Sequence, residues 1–346
     1  MTYLAALKTG PALTNLCPDP QGTLYDGAFW PATIYNVMDF GADDTGATDS
    51  RSAFQAAINA AHSTGGGIVT VPAGTFVFHS VNHLDGDTWN HDGTNLAGIA
   101  LSMACVVLRN GVTIIGAGSA LTHLTTDHYA CAPIGANYQH DIGIADMDIT
   151  TTYAYPGNGV NAFKIMACDR AFADNITSSN LYIGIAFVGC HDSIARNCYS
   201  TNCEAGYMMA GCNPAGVVPQ VTDNIHLANC EADACEMGFR VLGYSLAYDA
   251  ENEVENSCRI DNVTLTDCDS HDSPGGDFRV LFASNISMLR CTASSGLAAK
   301  KGIALVNVDT AHLTDCTTAW LCTASNGEPA WYAAQDSQDR VDIVED

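Results

Sequence analysis

Asn224-Ile225-His226-Leu227-Ala228-Asn229-Cys230, Asn262-Val263-Thr264-Leu265-Thr266-Asp267-Cys268 and Asn285-Ile286-Ser287-Met288-Leu289-Arg290-Cys291 read in register. Each is a short alternating strand that ends in a cysteine. A fourth copy, Ala311-His312-Leu313-Thr314-Asp315-Cys316, follows, and an earlier one closes at Cys198. The last two cysteine steps are 23 and 25 residues long. Short strands at a period of about 20–30 residues mark a solenoid whose turns stack on one another. The expected fold is all-β, a parallel β-helix.

A second strand recurs in every turn: Gly184–Val188, Gly206–Ala210, Gly238–Leu242, Asp277–Leu281 and Gly302–Val306. Alternation sends Ile185/Phe187, Tyr207/Met209, Phe239/Val241, Phe278/Val280 and Ile303/Leu305 inward. Ala186, Met208, Arg240, Arg279 and Ala304 then form one outward column, with two arginines stacked on neighbouring turns. Val188, Ala210, Leu242, Leu281 and Val306 form a second outward column, too apolar for a solvated face. Its expected cover is a C-terminal segment at about 320–346, with Trp320, Trp331 and Tyr332, or neighbouring copies in a trimer.

The 346 residues are 47% hydrophobic and 15% charged, with 31 glycines, a balance suited to many short strands and tight turns. Net charge is −25, from 38 acidic against 13 basic residues, which argues against a nucleic-acid partner. The 15 cysteines are odd in number and recur at equivalent repeat positions, so they read as a buried ladder of small hydrophobes. Such a ladder suits folding in a reducing cytoplasm. No secretory signal opens the chain and no apolar run has membrane-span length, so no membrane partner is expected. The site of action is expected to be extracellular or on a virion. The N-x-S/T asparagines Asn175, Asn262 and Asn285 begin repeat strands and read as turn residues.

Residues 1–33, with four prolines, read as an irregular leader, and 34–346 as a single β-helix domain. A helix is expected at about 50–62, capped by Asp49 or Ser50, with Phe54, Ile58 and Ala61 on one face. Covering the open end of the solenoid would make it a capping helix. Tyr35-Asn-Val-Met-Asp-Phe-Gly-Ala-Asp-Asp-Thr-Gly-Ala-Thr-Asp49, Gln55-Ala-Ala-Ile58, Gly65-Gly-Gly67 and Val71-Pro-Ala-Gly-Thr-Phe76 together resemble the entry module of the pectate-lyase-like superfamily. Val107–Gly118 is similar to its following turns. The resemblance implies a right-handed parallel β-helix of the pectate lyase, polygalacturonase, alginate C5-epimerase or tailspike depolymerase type. The turn 263–278, with His271-Asp272, is closest in rhythm to the alginate epimerases. Their Tyr-Gly-Phe-Asp-Pro-His catalytic strand is missing here, its outward positions being Ala186, Val188, Met208 and Ala210. The paired aspartates of polygalacturonases appear only as Asp43-Asp44, before the helix.

The candidate catalytic residues are Asp233, Arg240, His271, Asp272, Asp277 and Arg279. Aligning Cys230 with Cys268 puts Asp233 beside His271 and Arg240 beside Arg279, about 4.8 Å apart. Abstraction of a uronate C5 proton needs a base, and cations to stabilise charge building next to the carboxylate. Arginine binds carboxylates bidentately, and histidine moves protons near neutrality. The same residues would equally make a structural charge ladder. The loop 79–93 gathers His83, Asp85, Asp87, Trp89 and His91. Trp89, His83 and His91, with Tyr153 and Tyr155, are candidate sugar contacts, and Asp85 and Asp87 a candidate calcium site. The expected activity is β-elimination or C5 epimerisation of an acidic, uronate-containing polysaccharide. A glycoside hydrolase or phage-type depolymerase, working through two carboxylates such as Asp233 and Asp277, is the alternative. A non-catalytic trimeric or carbohydrate-binding solenoid is the third reading.

Overall fold

The computed structural model describes residues 33–79, 82–83, 103–128, 131–152, 159–211, 221–243, 260–295, 302–318, 321–324 and 342–345. Nearly every pairing is parallel, and each strand pairs with its counterpart one turn along the sequence. This is the parallel β-helix that the repeats predict. The exception among the described strands is Asn82–His83, antiparallel to Met103–Val107.

Three faces make up each turn. Face 1 includes His191–Arg196, Thr222–Ala228, Ile260–Thr266 and Thr310–Thr314. Face 2 includes Tyr199–Thr201, Glu231–Asp233 and Asp269–His271. Face 3 includes Asn161–Met166, Ile183–Val188, Ala205–Ala210, Met237–Leu242 and Ile303–Val308. Phe278–Leu289 turns a corner and serves faces 3 and 1. The corners are made by residues at positive φ, mostly Asn and Asp, whose short polar side chains tolerate the left-handed region. Asn175, Asn262 and Asn285 are three of them, at φ 52°, 52° and 53°. Each donates its side-chain amide to an aspartate one turn back, Asp146, Asp223 and Asp261 respectively.

The core is a set of columns. Tyr207, Phe239 and Phe278 stack with centroids 4.7 Å apart at each step and rings nearly parallel. Cys198, Cys230, Cys268 and Cys291 form another column, all buried. Their thiols are weak donors to the carbonyls of the preceding turn, as Cys230 Sγ is to Ala195 O at 3.5 Å. Eleven of the described cysteines, Cys105 to Cys316, form no disulfide. Ellman titration of the denatured chain should therefore count at least eleven thiols, against very few in the native protein. A denatured count below eleven would require disulfides among these positions.

The helix forms over Arg51–Ser63. Ser50 occupies the N-cap position but makes no capping bond there; Asp49 Oδ1 accepts from Arg51 N at 3.0 Å instead. Phe54, Ile58 and Ala61 are buried as the spacing predicts, and Phe54 meets Phe76 and Phe78 edge-on. Asp43 organises the preceding loop by accepting from the amides and hydroxyls of Thr45 and Thr48, which holds its carboxyl well below the usual range. The described pieces of the C-terminal segment extend the ladders: Leu321–Ala324 pairs with Ile303–Val306 and Asp342–Glu345 with Thr310–Leu313. Residues 1–32 and Trp320, Trp331 and Tyr332 lie outside the described residues. The apolar outward column Val188, Ala210, Leu242, Leu281 and Val306 is at most 8% exposed within the single chain. It belongs to a second apolar cluster with Met166, Ile183 and Met208.

Candidate functional site

Both expected registers are present: Asp233 pairs with His271 and Arg240 with Arg279. The six candidate residues nevertheless separate into three groups, because face 2 turns into face 3 between them.

On face 2, His271 lies between carboxylates. Its Nε2 is 2.9 Å from Glu231, and its Nδ1 is 3.1 Å from Asp233 and 3.7 Å from Asp272. Tyr199 donates its hydroxyl to the other oxygen of Asp233 at 2.8 Å. A neutral imidazole has one N–H, so donation at both nitrogens requires the imidazolium. Accordingly the Glu231 hydrogen bond, with the charges of Asp233 and Asp269, raises the His271 pKa. The associated stabilisation is complete below about pH 6.5, the unfolded value, and fades as pH rises through the higher folded value. Glu231→Gln should move the His271 titration measured by proton NMR toward that ordinary value. An unchanged midpoint would show that Glu231 does not hold the proton. A surface cavity of about 370 Å³ adjoins the group, lined by Tyr199, Glu231, Asp267 and Asp269 among others. Its acidic lining would repel a polyanion.

On face 3, Arg240 and Arg279 stand in the outward column Lys164, Ala186, Met208, Arg240, Arg279, Ala304. Arg240 reaches back toward the corner, with Nη1 3.8 Å from Glu204, while its buried Nε has no hydrogen-bond partner. Tyr182 lies beside Glu204 and Arg240 in the same group. Burial raises the pKa of both Glu204 and Tyr182, and the Arg240 charge only partly offsets this. Arg279 Nη1 contacts Met237 Sδ at 3.3 Å.

Asp277 joins neither group. It is fully buried and accepts from Ser270 Oγ, Ser295 N and Ser295 Oγ, with burial raising its pKa. It stands just before Phe278, the place Gly238 holds before Phe239, and a side chain built on Gly238 would meet the buried Ser270. Asp277 thus occupies an inward-pointing position that earlier turns leave to Gly184, Gly206 and Gly238, and this corner is one residue longer, through Gly275 and Gly276. A catalytic pair of Asp233 and Asp277 is thereby removed, since Asp277 is sealed inside.

Tyr199, Glu231, Asp269, Glu204, Tyr182 and Lys164 are the members that sequence reasoning missed. The first three follow from the cysteine alignment, because the residue after each cysteine of the column faces outward on face 2. Lys164 follows from extending the face-3 alignment one turn earlier, with Phe163 and Ile165 inward. Trp89, His91, Tyr153, Tyr155, Asp85, Asp87 and the His83 side chain lie outside the described residues.

Residues 34–138 match the family model described as rhamnogalacturonase A/epimerase, pectate lyase-like. Over these residues, under a third of its length, the chain is similar to pectate-lyase-like proteins. Mannuronan C5-epimerase AlgE3 of Azotobacter vinelandii is 38% identical over 105 residues, which is 30% of this chain and 5% of that protein. Alginate lyase 7 of the same organism is 35% identical over 122 residues, 33% of this chain and 12% of that protein. The chain thus spans only a small part of these curated relatives. A tailspike protein gp49 from Acinetobacter baumannii bacteriophage Fri1, a capsular polysaccharide depolymerase, superposes with a TM-score of 0.52 at 13% identity. That match covers 85% of this chain and 57% of the tailspike, and it speaks to the fold alone. The family match ends at Tyr138, before every residue of the two outward groups, so the chemistry of this β-helix rests on its own geometry. Among the described residues no helix is long and apolar enough to cross a membrane.

Proposed function

We propose that this chain is an enzyme that abstracts the C5 proton of a uronate in an acidic polysaccharide, with β-elimination or C5 epimerisation as the outcome. The observation that carries the proposal is the face-3 column. The chain has 13 basic residues among 346, yet Arg240 and Arg279 are part-exposed neighbours on adjacent turns of one column, while Lys164 of the same column is buried at 1% exposure. Strand spacing puts their two strands about 4.8 Å apart, a local concentration of positive charge on face 3. A polymer with a carboxylate on each sugar fits such a pair of cations; a neutral one does not.

The chemistry follows from the neighbours of Arg240. Stacked guanidinium groups hold the sugar carboxylate and stabilise the charge that spreads into it as the C5 proton leaves. Glu204, its affinity for protons raised by burial, is suited to take that proton. Tyr182, kept as the neutral phenol, is suited to give one, to the leaving oxygen for elimination or to the opposite face of C5 for epimerisation. The names of the curated relatives, epimerases of mannuronan and an alginate lyase, support the same substrate class. A polymer of this kind places the working protein outside the cell or on a virion, and stacked helices of this type suit a trimer.

The test is activity on mannuronan, other uronate polymers and neutral glycans, with and without calcium. Absorbance from unsaturated ends together with new reducing ends shows elimination. Solvent deuterium entering C5 without chain cleavage shows epimerisation. Reducing ends without absorbance would replace the proposal with a hydrolase. Activity on neutral glycans alone would remove the cation column from the argument.

A further inference from the structure

The face-2 group has geometry that proton transfer at face 3 does not use. His271 Nδ1, a carboxylate oxygen of Asp233 and one of Asp272 all lie within 4.8 Å of one another. The nitrogen stands 3.1 Å from the Asp233 oxygen and 3.7 Å from the Asp272 oxygen. Ligands at the usual zinc distances of about 2.0–2.1 Å sit on a tetrahedron with an edge of about 3.3–3.4 Å. The two observed separations bracket that edge.

Two of the three donors also have an outer partner. Glu231 holds Nε2 of His271, which leaves Nδ1 facing the two aspartates, and Tyr199 holds the second oxygen of Asp233. A carboxylate behind a histidine and a hydroxyl behind a carboxylate are the supports that orient metal ligands. Asp272 is 79% exposed, so the group opens to solvent on that side. Calcium takes six to eight oxygens and is a poor match for an imidazole nitrogen with two carboxylates. Borderline first-row ions suit that set.

We infer that Asp233, His271 and Asp272 form a binding site for a zinc-class divalent cation, oriented by Glu231 and Tyr199. The inference is independent of the arginine column, and its test reads metal rather than activity. The protein, stripped with chelator, is titrated with zinc by calorimetry, and zinc retained after gel filtration is measured by mass spectrometry. The expected result is one equivalent bound, with calcium in tenfold excess failing to displace it. His271→Ala and Asp233→Asn should lose that equivalent, and Glu231→Gln should weaken binding about 10–100-fold. Asp272→Asn guards against misfolding, because asparagine keeps the positive φ of this exposed corner. It should weaken zinc binding while the circular dichroism spectrum stays unchanged. Arg240→Ala should keep the zinc. Failure of the native protein to retain zinc, retention unchanged in His271→Ala, or ready displacement by calcium would each overturn the site.

Discussion

Arg240→Ala is expected to lower kcat on a uronate polymer by about 10²–10³-fold, the usual loss when one preorganised donor to a developing oxyanion is removed. The loss should fall mainly on kcat, because the charge that Arg240 meets builds only as the C5 proton departs. Two changes act together. The cation at the centre of the column disappears, and Glu204 loses the nearest positive charge, at 3.8 Å. The pKa of its carboxyl, already raised by burial, then rises further. The pH–rate profile should therefore move to higher pH as well as fall. Arg240→Lys should recover part of the loss, since a point charge lacks the planar fork. Arg290→Ala is the control: this arginine is half exposed, paired with Asp267 and outside the column. Steady-state kinetics with Arg240→Ala equal to the native protein would take Arg240 out of the reaction.

The second large effect is on stability. Phe239→Ala should cost about 3–5 kcal/mol, because the ring is 1% exposed and stacked on both sides, against Tyr207 and Phe278. Part of the loss is the buried area; the two ring contacts add about 0.5–1.5 kcal/mol each. No neighbour can move into the gap without breaking the backbone ladder that fixes its own turn. Cys230→Ala in the adjacent column removes one small atom and a weak donor, and should cost far less. Chemical denaturation of the two variants side by side checks the contrast. A Phe239→Ala loss no larger than that of Cys230→Ala would mean that neighbouring turns close the cavity.

The fold was legible because alternation and the recurring cysteines set the register without any long-range information. Aligning Cys230 with Cys268 also placed Asp233 beside His271 and Arg240 beside Arg279. The alignment gives order along the stack, however, and says nothing about the angle between faces. His271 and Arg279 are eight residues apart in sequence, yet a corner puts them on different surfaces. Asp277 was misplaced for a related reason: in the preceding turns its position is held by glycines, which hide that a side chain there points inward. Glu204 and Tyr182 were invisible because they sit at turns, where no alternation tells inside from outside. The loop 79–93 carries no periodicity, and most of its residues lie outside those the structure describes.

The corners have a consequence for how such a chain can change over time. Equivalent residues of early turns, such as Ser178 and Ser200, are 22 apart, and left-handed residues fix where each face stops. Within a strand, one residue gained or lost would exchange inward and outward columns from that point to the next corner. Evolution is left with two easy edits: lengthening a loop at a corner, or copying a whole turn. Copying a turn would carry its outward residues with it, so a binding surface on this scaffold can grow in steps of one strand spacing, about 4.8 Å. The length of polymer that such a protein grips would then be set by how many times one segment of its gene has been duplicated.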